Sequence, residues 1–230
     1  MTDYIGGNIE KLKKEIAIAC SKCGRNSDDI TLVAVSKTVG AEEIQQAINH
    51  GCSVFGENRV QPFIEKYEHF VEEVDFHLIG HLQTNKVKFV VGKAKLIHSV
   101  DSIRLLDEIE RRSKAANVVQ DVLIQVNVAG EESKFGVTVD ELYKLIEHNE
   151  DNKHVKIKGL MTMAPFVDDP EEIRWVFRKL RDVFIDINAK TFYNTDMEYT
   201  SMGMSGDFTV AIEEGADIIR VGSKIFHNTY

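Results

Sequence analysis

The sequence predicts an α/β fold, a single (β/α)8 TIM barrel with an extra N-terminal helix. Short apolar segments alternate with helix-like segments almost from end to end, the pattern of βα units and a parallel sheet. Eight segments are strand-like, and 230 residues approach the roughly 250 typical of this barrel. An open doubly wound sheet is the alternative. It is disfavoured because Ser36-Lys-Thr-Val-Gly40 follows the first strand, where a dinucleotide-binding fold has G-x-G-x-x-G.

The elements follow from local patterns. An amphipathic first helix ends near Gly24, and the β-branched run from Thr31 to Lys37 contains the first strand. The predicted strands are Leu32 to Ser36, Ser53 to Phe55, Asp75 to Ile79, Leu96 to Ser99, Val122 to Val128, Ile157 to Met161, Glu198 to Ser201 and Ile218 to Val221. The predicted helices between them are Ala41 to His50, Val60 to Glu72, Thr84 to Val91, Ile103 to Ala116, Val139 to Asn149, Pro170 to Asn188 and Asp207 to Glu214.

The long sixth helix of this series has its own signals. The acidic run Asp168-Asp-Pro-Glu-Glu172 has the composition of a helix cap and first turn. Trp175 and Phe177 are expected to anchor this helix by packing. The weakly patterned segment from Phe192 to Met197 is expected to be a connection to the next strand.

Composition limits the function classes. A formal net charge of −9, without a long basic stretch, argues against general affinity for nucleic acid or anionic membranes. No apolar stretch approaches the roughly 20 residues that span a bilayer, and charged residues replace the apolar core of a signal peptide. Three cysteines agree with a reducing compartment, so we expect a cytoplasmic protein. Cys20 and Cys23 form a C-x-x-C pair, but no second pair completes a zinc site.

Residues with useful chemistry follow the predicted strands, whose carboxyl ends converge on one face of a barrel. They are Lys37, Gly56-Glu-Asn58, Gly80-His81, Asn127, Met161, Ser201-Met-Gly203 and Arg220-Val-Gly-Ser223. We expect Lys37 to be desolvated at the mouth of the barrel. Burial of this kind lowers the proton affinity of an amine and makes it a nucleophile toward a carbonyl, so the residues predict a Schiff base.

The last two predicted strands are each followed by a segment suited to phosphate. Ser201 offers a hydroxyl, Gly203 allows close backbone approach, and the helix that starts after Ser205 offers unpaired N–H groups. Gly222 and Ser223 offer the same groups after the final strand. Either loop alone reads as an ordinary glycine turn, but barrels bind phosphate at these two positions together. An amine opposite a phosphate site indicates pyridoxal phosphate.

Two further residues fit that cofactor. Arg220 is expected to point into the pocket, with a surface salt bridge as the alternative. A fixed cation facing the pyridine nitrogen opposes its protonation, which weakens the ring as an electron sink. Asn58 could bind a ring oxygen or hold Lys37 in place, and a loop-capping role is equally compatible with its position.

Other candidates are weaker. His77 and His81 have the spacing of a metal pair, but Gly80 separates them at a strand end, so we expect no metal site. His81 is a candidate for the pocket wall, whereas His77 is expected inside the strand. Lys134 is a rival amine, and its polar neighbours in Glu131-Glu-Ser-Lys-Phe-Gly136 place it behind Lys37.

The main candidates for the site, Lys37, Asn58, Ser201, Gly203, Arg220, Gly222 and Ser223, belong to a set of six separated motifs that occur in a recognisable order. They are Val33-Ala-Val-Ser-Lys37, Phe55-Gly-Glu-Asn-Arg-Val-Gln61, Phe76-His-Leu-Ile-Gly-His-Leu-Gln83, Gly159-Leu-Met-Thr-Met163, Ser201-Met-Gly-Met-Ser205 and Arg220-Val-Gly-Ser223. With these motifs the chain resembles the pyridoxal-phosphate homeostasis protein family (YggS/PROSC type) over nearly its whole length. Arg59 and Pro62 depart from that pattern, where many relatives have Tyr and Glu.

The resemblance implies that residues 1–230 form one barrel domain similar to the N-terminal domain of alanine racemase. It implies pyridoxal 5′-phosphate carried as a Schiff base on Lys37, phosphate held by Ser201, Gly203, Gly222 and Ser223, and Arg220 facing the pyridine nitrogen. The family is associated with intracellular vitamin B6 balance, without an established reaction. We therefore expect a monomeric cofactor carrier that can release pyridoxal phosphate to cofactor-free enzymes.

Two enzymatic alternatives stay open. An amino-acid racemase needs a second acid/base opposite the lysine, which in alanine racemases is a tyrosine from a separate β domain and a partner subunit. Tyr199 and Tyr230 are the candidates here, and no motif supports either. A lysine Schiff-base aldolase of phosphorylated sugars also needs an amine and a phosphate loop, but its lysine usually follows a later strand.

Overall fold

Eight parallel strands pair in chain order, and the last pairs with the first, so the sheet closes into a barrel. This is a computed structural model, and it describes residues 4–131 and 135–228. The strands are β1 (Thr31–Val35), β2 (Val54–Glu57), β3 (Asp75–Leu78), β4 (Leu96–Val100), β5 (Gln120–Gln125), β6 (Val155–Met161), β7 (Thr195–Met204) and β8 (Ile218–Val221). The predicted (β/α)8 barrel is confirmed.

Helices cover the outside of the barrel. They are α1 (Tyr4–Cys23), α2 (Ala41–Asn49), α3 (Val60–Phe70), α4 (Ile103–Ala116), α5 (Val139–Asn149), α6 (Arg174–Asn188), α7 (Phe208–Glu213) and α8 (Ser223–Phe226). Short 3₁₀ helices occur at Ser27–Asp29, Thr84–Phe89 and Pro170–Ile173. The extra helix α1 buries Ile5, Ile9, Leu12 and Ile16, which are spaced as one helical face, and packs against α2, α7 and α8.

The barrel has two apolar regions because successive side chains of a strand point to opposite faces. One face of each strand packs against the helices in the large outer core. The other face points into the barrel, where Val33, Leu96, Leu123, Met161 and Ile218 from five different strands form a separate small cluster. This cluster fills the barrel below the C-terminal ends of the strands, so the polar groups that follow the strands lie above a packed interior.

Several local predictions are confirmed. Helix α1 ends at Cys23, and Gly24 follows it with a positive φ of 71°. Asp169 accepts a hydrogen bond from the backbone N–H of Glu171 at the start of the Pro170–Ile173 turn, as a cap does. Phe177 is fully buried.

Other local predictions are wrong, and each error has a physical reason. Trp175 is 49% exposed, because two residues along a helix turn the side chain to the face opposite buried Phe177. Strand β7 starts at Thr195, inside the predicted connection, because backbone pairing with β6 forms a strand there without an apolar pattern. The segment predicted as helix 84–91 is a 3₁₀ helix, and α8 was not predicted because it spans only four residues.

In the parts of the chain that the structure describes, no helix is both long and apolar enough to cross a membrane. The three cysteines are free thiols. Burial raises the pKa of the Cys52 thiol to about 11, so it is inert as a nucleophile at neutral pH.

Candidate functional site

A cavity of about 980 Å³ opens at the C-terminal end of the barrel. Segments that follow β1, β2, β3, β5, β6, β7 and β8 contribute to its wall, as the barrel topology predicts. Residues that the sequence predicted for the site and that line this cavity are Lys37, Asn58, Gly80, His81, Arg220, Gly222 and Ser223. Seven loops that are distant in sequence therefore meet around one volume.

Lys37 lines the cavity but is exposed. The expectation that it is desolvated is wrong. The reason is geometric: β1 ends at Val35, the next residue Ser36 is buried, and Lys37 is already on the rim of the barrel. Its amine is thus accessible to a ligand in the cavity, although the described residues do not bury it.

The segment that carries Lys37 is tied to its neighbour by a buried charged group. Glu57, at the end of β2, is fully buried and accepts hydrogen bonds from Ser36 Oγ at 2.6 Å and Lys66 Nζ at 2.7 Å. Lys66 Nζ also donates to the Ser36 carbonyl at 2.6 Å. Since Ser36 precedes Lys37 and Glu57 precedes Asn58, this network fixes the backbone from which both cavity residues start. The sequence pattern predicted no role for Glu57 or Lys66.

The loops after β7 and β8 are joined to each other. The Gly222 N–H donates to Ser205 Oγ at 3.3 Å, and Ser205 lines the cavity. The Met204 N–H donates to Asp207, the buried residue that precedes α7, and burial raises the pKa of the Asp207 carboxyl. Ser205 was part of a predicted motif but was not chosen as a site residue.

Ser201 and Gly203 differ in position from the other residues predicted for the site. Neither Ser201 nor Gly203 is among the described residues that line the cavity wall. Gly203 has φ +91°, and a Cβ there would lie 2.6 Å from Ala211 Cβ and 2.9 Å from Phe208 Cα. The absence of a side chain at Gly203 therefore allows β7 to approach α7, and this contact shapes the loop between the two elements. The Ser201 hydroxyl is fully buried and accepts a hydrogen bond from Arg220 Nη1.

Arg220 is only 4% exposed, yet it lines the cavity floor. Its Nη1 donates to Ser201 Oγ at 2.5 Å and its Nη2 donates to the Thr162 carbonyl at 2.8 Å. No described carboxylate lies within 4.0 Å of it as an ion-pair partner, so the surface salt bridge is not formed. Desolvation lowers the pKa of Arg220 to about 10, which leaves the guanidinium charged at neutral pH.

Behind Ser201 lie two buried histidines. His98 Nδ1 is 2.9 Å from Ser201 Oγ, and His98 Nε2 is 3.0 Å from His77 Nδ1. Desolvation lowers the pKa of His77 to about 3 and that of His98 well below its usual range, so both rings are neutral at pH 7. His77 lies inside β3 as expected. His98 was missed, although a polar residue inside the apolar run of β4 was a usable signal.

The outer rim is partly apolar. His81 lines the cavity as predicted, lies 3.2 Å from Asp101 through Nδ1, and stacks on Phe135 with ring centroids 4.2 Å apart. Phe166, from the loop after β6, is 97% exposed. Of the other predicted groups, Tyr199 packs near the small interior cluster, while Lys134 and Tyr230 lie outside the described residues.

This arrangement agrees with comparisons to known proteins. The family model for the alanine racemase N-terminal domain matches residues 8–229. A pyridoxal phosphate homeostasis protein from Aquifex aeolicus is 46% identical over 219 residues, covering 95% of each chain. The chain belongs to the pyridoxal phosphate homeostasis protein family. Solved structures of relatives show the same barrel.

PipY from Synechococcus elongatus, solved with pyridoxal phosphate bound, is 29% identical and superposes with a TM-score of 0.84, covering 96% of this chain and 99% of PipY. A protein from Bifidobacterium adolescentis is 34% identical with a TM-score of 0.91, covering 97% of this chain and 94% of that protein. Family membership agrees with the donor set of the cavity, which includes the accessible amine of Lys37, the buried guanidinium of Arg220 and glycine-containing loops after β7 and β8.

Proposed function

We propose that this protein binds pyridoxal 5′-phosphate in the C-terminal cavity, with Lys37 as its covalent attachment point, and acts as a carrier in vitamin B6 homeostasis. The observation that supports this most directly is that Lys37, Arg220, Gly222 and Ser223 line one cavity in a chain of this family. When bound, this cofactor supplies an aldehyde that can condense with a primary amine.

Each residue has a distinct task in this proposal. Lys37 presents Nζ at the rim, where the accessible amine can reach a carbonyl that enters from solvent. Gly222 and Ser223 stand at the start of α8, where the first backbone N–H groups of a helix have no partner within the helix. Asn58 follows β2, the strand paired with β1, and it lines the same cavity and offers an amide for a ring oxygen.

Arg220 sets the electronic character of the site. Its guanidinium is held from below by Ser201 and Thr162, and it is a donor only. A ring nitrogen placed against it would accept a hydrogen bond and would stay unprotonated, because a nearby fixed cation opposes a second positive charge. Strong carbanion stabilisation is therefore not favoured, which agrees with carriage of the cofactor.

Ser201 and Gly203 take supporting roles in place of the direct phosphate contacts predicted from the sequence. Ser201 holds the Arg220 guanidinium, and Gly203 lets the end of β7 lie against α7. The phosphate contacts then belong to the backbone and side chains of the loops that line the cavity above them, including Ser205.

The test is borohydride reduction of the protein after incubation with pyridoxal phosphate, followed by peptide mass spectrometry. We expect a pyridoxyl group on the Lys37 peptide, and we expect Lys37→Ala to lose it. Lys224→Ala is the matched control, since Lys224 lines the same cavity and ion-pairs with Glu15 at 2.6 Å. Stoichiometric labelling that survives Lys37→Ala but not Lys224→Ala would reject Lys37 as the attachment point.

Carriage is distinguished from racemisation by exchange at Cα. Among the described residues that line the cavity none is a tyrosine, so the tyrosine that is the second acid/base of alanine racemases has no counterpart among them. We expect no rapid exchange of the Cα proton of amino acids for solvent deuterium. Multiple turnovers would favour the racemase. The monomeric state, the cytoplasmic location and transfer to cofactor-free enzymes stay predictions.

A further inference from the structure

A chain of hydrogen bonds crosses the interior of the barrel below the cavity. It runs from Arg220 on β8 to Ser201 on β7, to His98 on β4 and to His77 on β3, with donor–acceptor distances of 2.5, 2.9 and 3.0 Å. β4 and β7 are not neighbours in the sheet, so the contact between Ser201 and His98 passes through the barrel. Ser201 and His98 are fully buried, and His77 and Arg220 are nearly so.

The donor-only character of Arg220 fixes the direction of every hydrogen bond in this chain. Because Arg220 Nη1 donates to Ser201 Oγ, the Ser201 hydroxyl proton needs another acceptor. Of the described residues, His98 Nδ1 is the acceptor that the structure places beside it. His98 must then carry its proton on Nε2 and donate it to His77 Nδ1.

The opposite direction is disfavoured for a specific reason. If His98 Nδ1 carried the proton, Ser201 Oγ would accept two hydrogen bonds and its own hydroxyl proton would be buried without an acceptor among the described residues. A buried polar hydrogen without a partner is costly. Both rings are neutral at pH 7, so each has one donor and one acceptor nitrogen, as the chain requires.

We propose that His98, acting through Ser201, is a positioning residue that holds the Arg220 guanidinium toward the cavity. This inference rests on the proposed function, because it assigns the chain a role in presenting Arg220 to the cofactor. His98 accepts the Ser201 proton and so keeps a Ser201 lone pair directed at Arg220. His77 accepts from His98 and fixes the orientation of its ring.

The surroundings of Arg220 explain why such a support is needed. Asp207 also lines the cavity, and its charge acts on Arg220, but the two do not form an ion pair within 4.0 Å. The guanidinium charge is therefore directed by two neutral acceptors, Ser201 Oγ and the Thr162 carbonyl. Removing one acceptor leaves Arg220 with a single neutral contact and frees it to turn toward Asp207.

The first test needs no cofactor. Long-range ¹⁵N–¹H NMR of the histidine rings reports which nitrogen carries the proton. We expect Nε2–H on both His98 and His77, with both Nδ1 atoms unprotonated, and we expect the His98 Nδ1 resonance to shift in Ser201→Ala. A proton on His98 Nδ1 in the wild-type protein would overturn the proposed direction of the chain.

The second test is a double-mutant cycle on the dissociation constant for pyridoxal phosphate, with Ser201→Ala, His98→Leu and the double variant. We expect each single change to weaken binding about tenfold, which is typical for loss of a hydrogen bond to a charged group. The double variant should bind no more than about twofold more weakly than Ser201→Ala, because His98 acts through Ser201. Multiplied effects would overturn the inference.

A third variant guards against misfolding. His98→Asn keeps an amide that can accept the Ser201 proton, so we expect it to retain affinity within about threefold of wild type, whereas His98→Leu does not. Equal losses in both variants would contradict a positioning role. If wild-type protein were not labelled at Lys37 and did not bind the cofactor, the proposed function would fail, while the NMR result would still decide the hydrogen-bond chain.

Discussion

Mild acid should destabilise this protein through the buried pair His77 and His98. In the folded state the pKa of His77 is lowered to about 3 and that of His98 well below its usual range, against 6.5 for an unburied imidazole. Below pH 6.5 the unfolded chain therefore binds two protons that the folded protein does not bind. Stability is fully present above that pH and falls as the pH decreases toward about 3.

The size of the effect follows from the pH alone, because both histidines stay neutral in the folded protein at pH 5 while an unburied imidazole has a pKa of 6.5. Relative to neutral pH, protonation of each histidine in the unfolded chain lowers the free energy of unfolding by about 2 kcal/mol at about pH 5, or by about 4 kcal/mol for the pair. A domain typically has about 5–15 kcal/mol of stability, so this loss is a large share of the total. Carboxylates also titrate in acid, but their contribution to the change in stability cancels when the wild-type protein is compared with a histidine variant.

The assay is urea unfolding followed by far-UV circular dichroism, at several pH values between about 7.5 and 5. His98→Asn removes one of the two titrating groups, so we expect its stability to fall by about half as much over this range. His69→Gln is the control, because His69 is exposed, and its profile should match the wild type. Identical profiles for His98→Asn and the wild type would refute the reasoning.

Three substitutions test the packing that supports the site. Gly203→Ala should cost about 2–3 kcal/mol in free energy of unfolding, since its Cβ would overlap α7 and its φ is positive. Lys66→Met should cost about 3–5 kcal/mol, because it leaves Glu57 buried without its cation. Phe177→Ala should cost about 3–5 kcal/mol, because it empties a fully buried position. Each value is measured from urea unfolding at neutral pH.

Matched controls separate these causes from general sensitivity. Gly206→Ala has no atom within 4 Å of its new Cβ, Lys93→Met breaks an exposed ion pair, and Trp175→Ala removes a half-exposed ring. We expect changes of less than about 1 kcal/mol for each control. A control that loses as much stability as its test variant would contradict the corresponding explanation.

The sequence placed the main cavity residues correctly because that placement depends on topology. Once the alternation of strands and helices predicts a parallel barrel, the residues after each strand must share one face. Lys37, Asn58, Arg220, Gly222 and Ser223 follow this rule and line one cavity. Neither their side-chain contacts nor their burial is needed for that conclusion.

The same reasoning could not supply the contacts beneath the cavity. Ser201 was assigned to phosphate because it ends a predicted strand, but strand β7 continues to Met204, so Ser201 lies inside the barrel. Its partner His98 is 103 residues away along the chain and three strands away around the sheet. Lys37 was expected to be desolvated because its strand is buried, and the structure shows that burial ends one residue before it.

The sequence by itself determined the barrel, the face that carries the site and the amine, guanidinium and glycine loops that surround it. These properties follow from local periodicity and from the order of strands along the chain. Only the tertiary structure decided which side chains are buried and which atoms they bind. The physical reason is that burial and hydrogen-bond partners depend on strand register and on packing across the closed barrel, where residues distant in sequence compete for the same space.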